Sequence, residues 1–199
     1  MKRSSQGPKA NSVVCRTLTL PEVRRLPRIP SVYETEHVFR MSRLPDLQEI
    51  GWRLHEERLP RPFTKVYDDG EVDDWLDSYQ ESAGPDTIRF IGAFDGSDPV
   101  GLATWTHSKW NDTVWLADIR VKQDRIRQGV GSYLMTAVKA EAVGARVRGI
   151  RVETQITNYP AIQFYRRHGF VPSGLDDHLY SNQDPAQLEV ALFLFWERV

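Results

Sequence analysis

The sequence predicts a mixed α/β fold built on a mainly antiparallel central sheet flanked by helices. Three observations carry this. Residues 87–121 hold three β-rich runs separated only by turn residues, the pattern of an antiparallel meander. The third run feeds directly into a glycine loop that opens a helix. A strand, a second helix and closing strands follow, and this alternation describes a mixed sheet with helices laid on it.

Met1 to Ser12 is rich in Lys, Ser, Gln and Gly, has little to bury and reads as a disordered tail, with residues 13–199 as one domain. Val13 to Leu20 reads as a first strand, and Pro21 starts a helix that Pro27 and Pro30 stop early. From Ser31 to Asp69 extended and helical hints are mixed, with Pro45, Pro60 and Pro62 as punctuation, and strands are expected. Val72, Trp75, Leu76 and Tyr79 fall at spacings of three and four, the apolar stripe of a helix over Gly70–Glu81. Beyond Gly84-Pro85 the period changes to two. Thr87–Phe94 and Val100–His107 are joined by the turn sequence Asp95-Gly96-Ser97-Asp98-Pro99, and Thr113–Val121 follows Asn111-Asp112. Val130, Leu134, Ala137, Val138 and Ala142 line one side of a helix over Gly129–Val143, with Gly144 as its stop. Gly149–Thr154 is a strand, and Asn158–His168 a helix with Pro160 in its first turn and Gly169 past its end. Phe170–Pro172 leads out, and Leu188–Trp196 is a nearly continuous apolar strand.

The composition narrows the function. With 199 residues and 40% apolar content, the chain is long enough for a core that needs no disulfide or metal staple. The single Cys15 fits a reducing, cytoplasmic setting. No apolar run approaches the roughly 20 residues of a membrane span. Charge is nearly balanced, 26 basic against 27 acidic residues, so a polyanion such as nucleic acid is not an expected partner. The balance is uneven along the chain: residues 1–30 carry seven basic side chains, and Asp68 to Asp86 has eight carboxylates with no Lys or Arg between them. A second basic group, Arg120, Lys122, Arg125 and Arg127, invites a small anion. The five histidines show no metal-ligand spacing with one another or with Cys15, and no metal is expected.

That anion has a candidate cradle. Along Ile119-Arg120-Val121-Lys122-Gln123-Asp124-Arg125-Ile126-Arg127-Gln128-Gly129-Val130-Gly131-Ser132 a strand ends, a basic turn follows, and two glycines open a helix. Backbone N–H groups and the positive end of the helix dipole then converge where a phosphate would sit. A dinucleotide fold would place a third glycine where Leu134 stands, and a triphosphate loop would need Gly-Lys-Ser/Thr.

Here the sequence resembles the GNAT superfamily of acetyl-coenzyme A N-acetyltransferases. Ile126-Arg127-Gln128-Gly129-Val130-Gly131 matches its Arg/Gln-x-x-Gly-x-Gly/Ala loop except at Ile126. A second landmark, Asn158-Tyr159-Pro160-Ala161-Ile162-Gln163-Phe164-Tyr165 followed by Arg166-Arg167-His168-Gly169-Phe170, stands about 30 residues on. The resemblance covers roughly residues 87–196. Phe63-Thr64-Lys65-Val66, Ser108-Lys109-Trp110-Asn111, Glu153-Thr154-Gln155, Gly174-Leu175-Asp176 and Tyr180 look like the streptothricin acetyltransferase branch and carry the likeness back to about residue 60.

The resemblance implies an acetyl-coenzyme A dependent N-acetyltransferase that acts on a small cationic amine, streptothricin being the preferred substrate, by direct transfer. It makes acetyl-coenzyme A the cosubstrate, held by Ile119, Arg120 and Val121, by Ile126, Arg127, Gln128, Gly129, Val130, Gly131 and Ser132, and by Asn158 and Tyr165. Arg125 or Arg127 would make up the charge missing at Ile126. Tyr165 becomes the general acid for the leaving thiolate; it lies two helical turns beyond Asn158 and shares its face. An amine of pKa ~10.4 is about one part in a thousand neutral near pH 7.4, so a base is needed. Many relatives carry an acidic pair where this chain has Ala117-Asp118, and Ala117 takes no proton. Asp118 and Glu153 compete for the role; Asp118 has a second reading as an ion pair with Arg120 or Arg151. The amine itself would be held by Asp118, Glu153 and Asp176, with Asp177 nearby and Trp105, Trp110 and Tyr180 as aromatic walls, although Trp105 and Trp115 each read more simply as sheet core. Dimers are common in the family, and a homodimer is a further expectation. Two other readings remain: acetylation of a protein lysine or N-terminus, and a non-catalytic coenzyme A-binding module, the latter prompted by Ile126 and Ala117.

Overall fold

The structure, a computed structural model, describes residues 13–44, 51–67, 76–77, 88–180 and 189–199. Seven strands form the main sheet: β1 (Val13–Leu18), β4 (Ile88–Asp95), β5 (Asp98–Ser108), β6 (Thr113–Val121), β7 (Gly149–Gln155), β8 (Val171–Asp176) and β9 (Ala191–Glu197). Their order is β1-β4-β5-β6-β7-β9-β8. Every neighbouring pair is antiparallel except β6 and β7. The expected meander is β4-β5-β6, and Gly96 takes the left-handed conformation its hairpin needs, at φ 62°. Residues ahead of the recognised core also join this sheet, because β1 pairs along β4 from Val13↔Asp95 to Leu18↔Phe90.

A second, two-stranded antiparallel sheet is made by β2 (Val32–Arg43) and β3 (Trp52–Val66). These are the strands expected between Ser31 and Asp69. The pairing runs from Val32↔Val66 to Thr35↔Phe63, breaks, and resumes at His37↔Arg58. Pro60 and Pro62 lie in the break. Opposite the break, Thr35 Oγ1 donates to the His37 carbonyl at 2.7 Å and accepts the His37 N–H at 3.0 Å.

Three helices complete the described fold. The four-residue α1 (Leu20–Val23) is as short as its prolines require; the Glu22 carboxylate accepts the Thr19 N–H at 2.8 Å. Helix α2 (Val130–Gly144) follows the glycine loop, and α3 (Tyr159–Arg167) follows β7. Gly144 is not the stop: the helix includes it, and the left-handed turn falls on Arg146 at φ 58°. For α3 the expected stop holds, with Gly169 at φ 78° and the Phe170 N–H on the Tyr165 carbonyl at 3.1 Å. The helix expected over Gly70–Glu81 and the tail Met1–Ser12 lie outside the described residues, apart from helical, fully buried Leu76 and its neighbour Asp77.

Both helical stripes face one side of the sheet. Val130, Leu134, Met135, Val138 and Ala142 of α2 and Ile162 and Tyr165 of α3 share a core with Val114, Leu116, Ile150, Val152, Leu192 and Leu194. The opposite side, over β1, β4 and β5, is closed by Leu18, Val23, Leu76, Ile88, Phe90 and Leu102. The β2–β3 arm lies across the end of β7, where Phe39, Met41 and Leu54 pack on the larger core. No helix among the described residues is long and apolar enough to cross a membrane.

Close packing at the start of β7 fixes one glycine. A Cβ on Gly149 would lie 2.3 Å from the Trp196 carbonyl oxygen and 2.4 Å from the Phe195 ring. Gly149→Ala must therefore push β9 away from β7, and is expected to cost about 3 kcal/mol or more of unfolding free energy in urea titration.

Candidate active site

The site begins where the one parallel pair fails. Pairing of β6 with β7 runs only from Thr113↔Gly149 to Leu116↔Val152, although β6 continues to Val121 and β7 to Gln155. The cause lies one residue further on. Opposite β5 the register passes from Trp105↔Leu116 to Thr104↔Asp118, so Ala117 is the extra residue of a β-bulge. A bulge bends its strand and shifts the alternation of faces by one. Val114 and Leu116 face the helices before it, and Ile119 and Val121 after it. The sheet therefore parts between the C-terminal halves of β6 and β7, with α2 starting from one lip and α3 from the other. A crevice at the C-terminal ends of diverging strands is the usual ligand site in such sheets.

On the β6 side, a 3₁₀ turn at Gln123–Arg125 leads into the glycine loop. Arg127 and Gly129 are both left-handed, at φ 65° and 88°. The first bond of the α2 ladder runs from the Tyr133 N–H to the Gly129 carbonyl at 3.1 Å, so the amides of Val130, Gly131 and Ser132 lie ahead of it. Left-handed turn residues before a helix make a concave set of N–H donors suited to an anion. Gly131 also has a packing role, because a Cβ there would meet the Phe164 ring of α3 at 3.2 Å. Gln128 turns its side-chain amide back onto the Asp124 carbonyl at 2.7 Å, and Ile126 is partly exposed. Ser132 Oγ and His168 Nε2, 3.2 Å apart, tie the start of α2 to the end of α3.

The basic cluster of residues 120–127 does not gather on this loop. Lys122 pairs with Asp98 at 2.6 Å and Arg125 with Asp95 at 2.9 Å, both holding the loop to the β4–β5 hairpin. Arg120 turns to the other face of the sheet. Of the four, only Arg127 has no ion pair among the described residues.

On the β7 side, Asn158 caps α3. Its Oδ1 accepts the Ala161 N–H at 3.1 Å and its Nδ2 donates to the Tyr67 hydroxyl at 3.2 Å. Tyr165, two turns along, is buried against Phe164 and Phe170 at ring separations of 5.4 and 5.5 Å. Glu153, on the face of β7 away from Val152, receives the hydroxyl hydrogen of Tyr180. Burial pushes its carboxyl pKa up, and the Tyr180 bond only partly offsets this. The end of β3 brings Lys65 and Tyr67 to the same place. Lys65 pairs with Glu189 and stands 5.5 Å from the centre of the Tyr67 ring. Burial first, and then Tyr33 and Glu153, push the Tyr67 phenol far up.

Three expected site residues are placed differently. Asp118 is locked to Arg120 by two bonds, 2.7 and 3.0 Å, and Arg120 in turn donates to the Ile29 carbonyl at 3.1 Å. With its carboxylate so held, Asp118 is an anchor for the segment before β2, not a free base. Trp110 is 85% exposed in the turn between β5 and β6, at the opposite end of β6 from the glycine loop. Asp176 accepts the His178 N–H at 2.9 Å in a local turn. Its buried neighbour Asp177 takes the Arg43 guanidinium, at 2.6 and 2.8 Å, and so ties β2 to the end of β8. Trp105 is buried in the sheet core, as expected. Tyr33, Tyr67 and Glu189 were not expected in the site. Only Lys65, within the Phe63–Val66 stretch that resembles the streptothricin acetyltransferase branch, is a sequence signal for this region.

A sheet parted beside a glycine loop, with a tyrosine-bearing helix on the far lip, defines an acyl-transfer scaffold. The chain belongs to the acetyltransferase (GNAT) family, whose family model matches residues 49–170. Within that family it is 30% identical to streptothricin acetyltransferase A of Bacillus subtilis over 154 residues, 77% of this chain and 84% of that one. The crystal structure of nourseothricin acetyltransferase superposes with a TM-score of 0.75 at 27% identity, covering 94% of this chain and 98% of that one. A Bacillus anthracis protein crystallised in complex with acetyl coenzyme A shares the fold, with a TM-score of 0.73 at 24% identity and coverage of 96% and 100%.

The raised Glu153 carboxyl has a consequence for stability. A carboxyl whose pKa rises on folding contributes stability fully below its unfolded value, about 4.3, and that contribution is lost as pH rises through the folded value. Glu153→Gln keeps an acceptor for Tyr180 without ionising. It is expected to match the parent in urea titrations near pH 4 and to be the more stable protein at pH 8.

Proposed function

We propose that this acetyltransferase moves acetyl from acetyl-coenzyme A to a primary amine of a small cationic substrate, with streptothricin the preferred acceptor. The observation that carries this is the desolvated Glu153 carboxyl beside the split, within an otherwise aromatic group of Tyr67 and Tyr180. A half-buried acid beside aromatic faces suits an ammonium through charge and cation–π attraction. The relatives that carry streptothricin and nourseothricin in their names support the choice of acceptor.

The glycine loop fits the coenzyme's pyrophosphate. Gly129 is left-handed, its nearest neighbour to an added Cβ is 3.7 Å away, and the amides of Val130 to Ser132 precede the helix ladder. Arg127 is the side chain placed to add charge. The backbone of Ile119 to Val121, beyond the last β6–β7 pair, would hold the pantetheine arm along the lip of the split. Acetyl-coenzyme A supplies an activated thioester; the remaining work is proton management by the protein.

Glu153 accepts the proton of the bound ammonium. Its raised pKa makes it a stronger base than an ordinary carboxylate and brings it nearer the operating pH. The Tyr180 hydroxyl orients the carboxylate for this. Tyr165 gives its phenolic proton to the departing thiolate; its burial between Phe164 and Phe170 holds the ring in place. Ala117 is no lesion in this scheme. Its place is the bulge that opens the split, and the base stands on the neighbouring strand. Transfer is direct, with a homodimer as the expected assembly.

Thiol release with streptothricin, and none with a lysine peptide, is the expected outcome of a paired assay; the reverse result assigns a protein acceptor. Tight acetyl-coenzyme A binding by calorimetry without release on any amine overturns catalysis altogether. Tyr165→Phe should lower kcat by about 100-fold, while calorimetric acetyl-coenzyme A binding stays within about twofold. Glu153→Gln should lower kcat/KM at pH 7 by about 100-fold or more and remove the rise of rate with pH. Asp118→Asn should lower the melting temperature yet keep that rise, since it leaves the base in place.

A further inference from the structure

Residues 156–158 join β7 to α3, and each of them, together with Tyr159 at the start of α3, touches the β2–β3 arm or Tyr67 just beyond it. The Phe39 N–H donates to the Ile156 carbonyl at 3.0 Å. Tyr33 donates to Thr157 Oγ1 at 3.1 Å, and Asn158 Nδ2 donates to the Tyr67 hydroxyl at 3.2 Å. The Tyr159 ring lies 5.3 Å from that of His37 and 5.7 Å from that of Phe39.

The polar part of this contact has a fixed direction. Asn158 Oδ1 is taken by the Ala161 N–H, which leaves Nδ2 as the group facing Tyr67. The Tyr67 oxygen must accept, so its own proton is free to turn toward Tyr33, whose ring lies 5.7 Å from its own. Tyr33 passes its proton on to Thr157. The chain thus leaves the main fold at Asn158 and returns to it at the preceding residue. Burial pushes both phenols up, so neither loses near neutral pH the proton that the chain requires. Tyr67 is itself held, its N–H on the Ser31 carbonyl at 3.0 Å.

We propose that Tyr67 is a positioning residue for acetyl transfer: its hydroxyl fixes the Asn158 cap, and the cap fixes the start of the helix that places Tyr165 two turns further on. The proposal rests on the reading of Tyr165 as the acid. An error of about 1 Å in a catalytic group costs on the order of 100-fold in rate, so a hydrogen bond at the root of α3 acts on turnover through Tyr165, apart from any contact the Tyr67 ring makes with the acceptor.

The test is a double-mutant cycle on the full chain with acetyl-coenzyme A and streptothricin, with melting temperatures read in parallel. Tyr67→Phe keeps the ring and removes the hydroxyl; kcat is expected to fall about tenfold with the acetyl-coenzyme A KM unchanged. In the Tyr165→Phe background the same change is expected to do nothing further, because it acts through Tyr165. Tyr33→Phe breaks the chain one bond further on and must show the same non-additivity, which covers the case in which Tyr67→Phe folds poorly. Unchanged kcat in Tyr67→Phe, or losses that multiply in the double variant, overturn the positioning role alone. Wild-type turnover in Tyr165→Phe overturns the acid assignment and the proposal with it.

Discussion

The single extra residue at Ala117 is the constraint on which the rest of the molecule depends. An unbulged β6 would keep its register with β7, and the sheet would close over the place where two reactants must meet. The bulge does two things at once. It ends the parallel pairing at Leu116↔Val152, and it turns Asp118 and Arg120 to the face away from the helices, where they hold the Ile29 carbonyl. One backbone irregularity thereby opens the crevice and commits the Asp118 carboxylate to an ion pair. On the proposed reading the acid–base chemistry falls to the neighbouring strand, where partial burial raises the Glu153 carboxyl pKa.

The two lips are supported in different ways. The glycine loop is tied by ion pairs at the surface, Lys122–Asp98 and Arg125–Asp95, which leave its backbone amides to the ligand. The start of α3 is tied by neutral hydrogen bonds and ring contacts from the arm. The difference follows from surroundings: exposed charges are screened by water, whereas the junction is only partly open, with Tyr33 and Thr157 buried and Tyr67 partly exposed, and is held by neutral, matched polar groups. The two helices then meet through Gly131 against Phe164 and Ser132 against His168, so both lips are joined in one core.

The main sheet was largely legible because its signals are local. The turn residues 95–99 and 111–112, the apolar stripe of α2 and the glycine after α3 each fix an element within a few residues. The glycine loop and the Asn158–Tyr165 helix were legible for the same reason. What escaped was long-range. The bulge at Ala117 leaves no mark in composition, and without it the alternation around Asp118 is read on the wrong face. Trp110 lies close in sequence to β6 but at its far end. Tyr33, Tyr67 and Glu189 come from segments of weak periodicity, and only the docking of the arm brings them to residues 153–158. Gly144 shows the limit of punctuation rules: a glycine at a helix end is an opportunity for a stop, and here the chain turned two residues later.

The proline-broken pairing of the arm bears on solubility. A two-stranded sheet of 12- and 15-residue strands is a ready template for recruiting further copies, and no strand pairs with the outer edge of β3 among the described residues. Pro60 and Pro62 deny that edge two of the donors a recruited strand would need. The cross-strand pairs His37–Glu56, Arg40–Glu57 and Arg58–Glu36 add charge that an incoming strand would have to bury. The same irregularity that made the arm hard to read in the sequence thus guards its edge against aggregation.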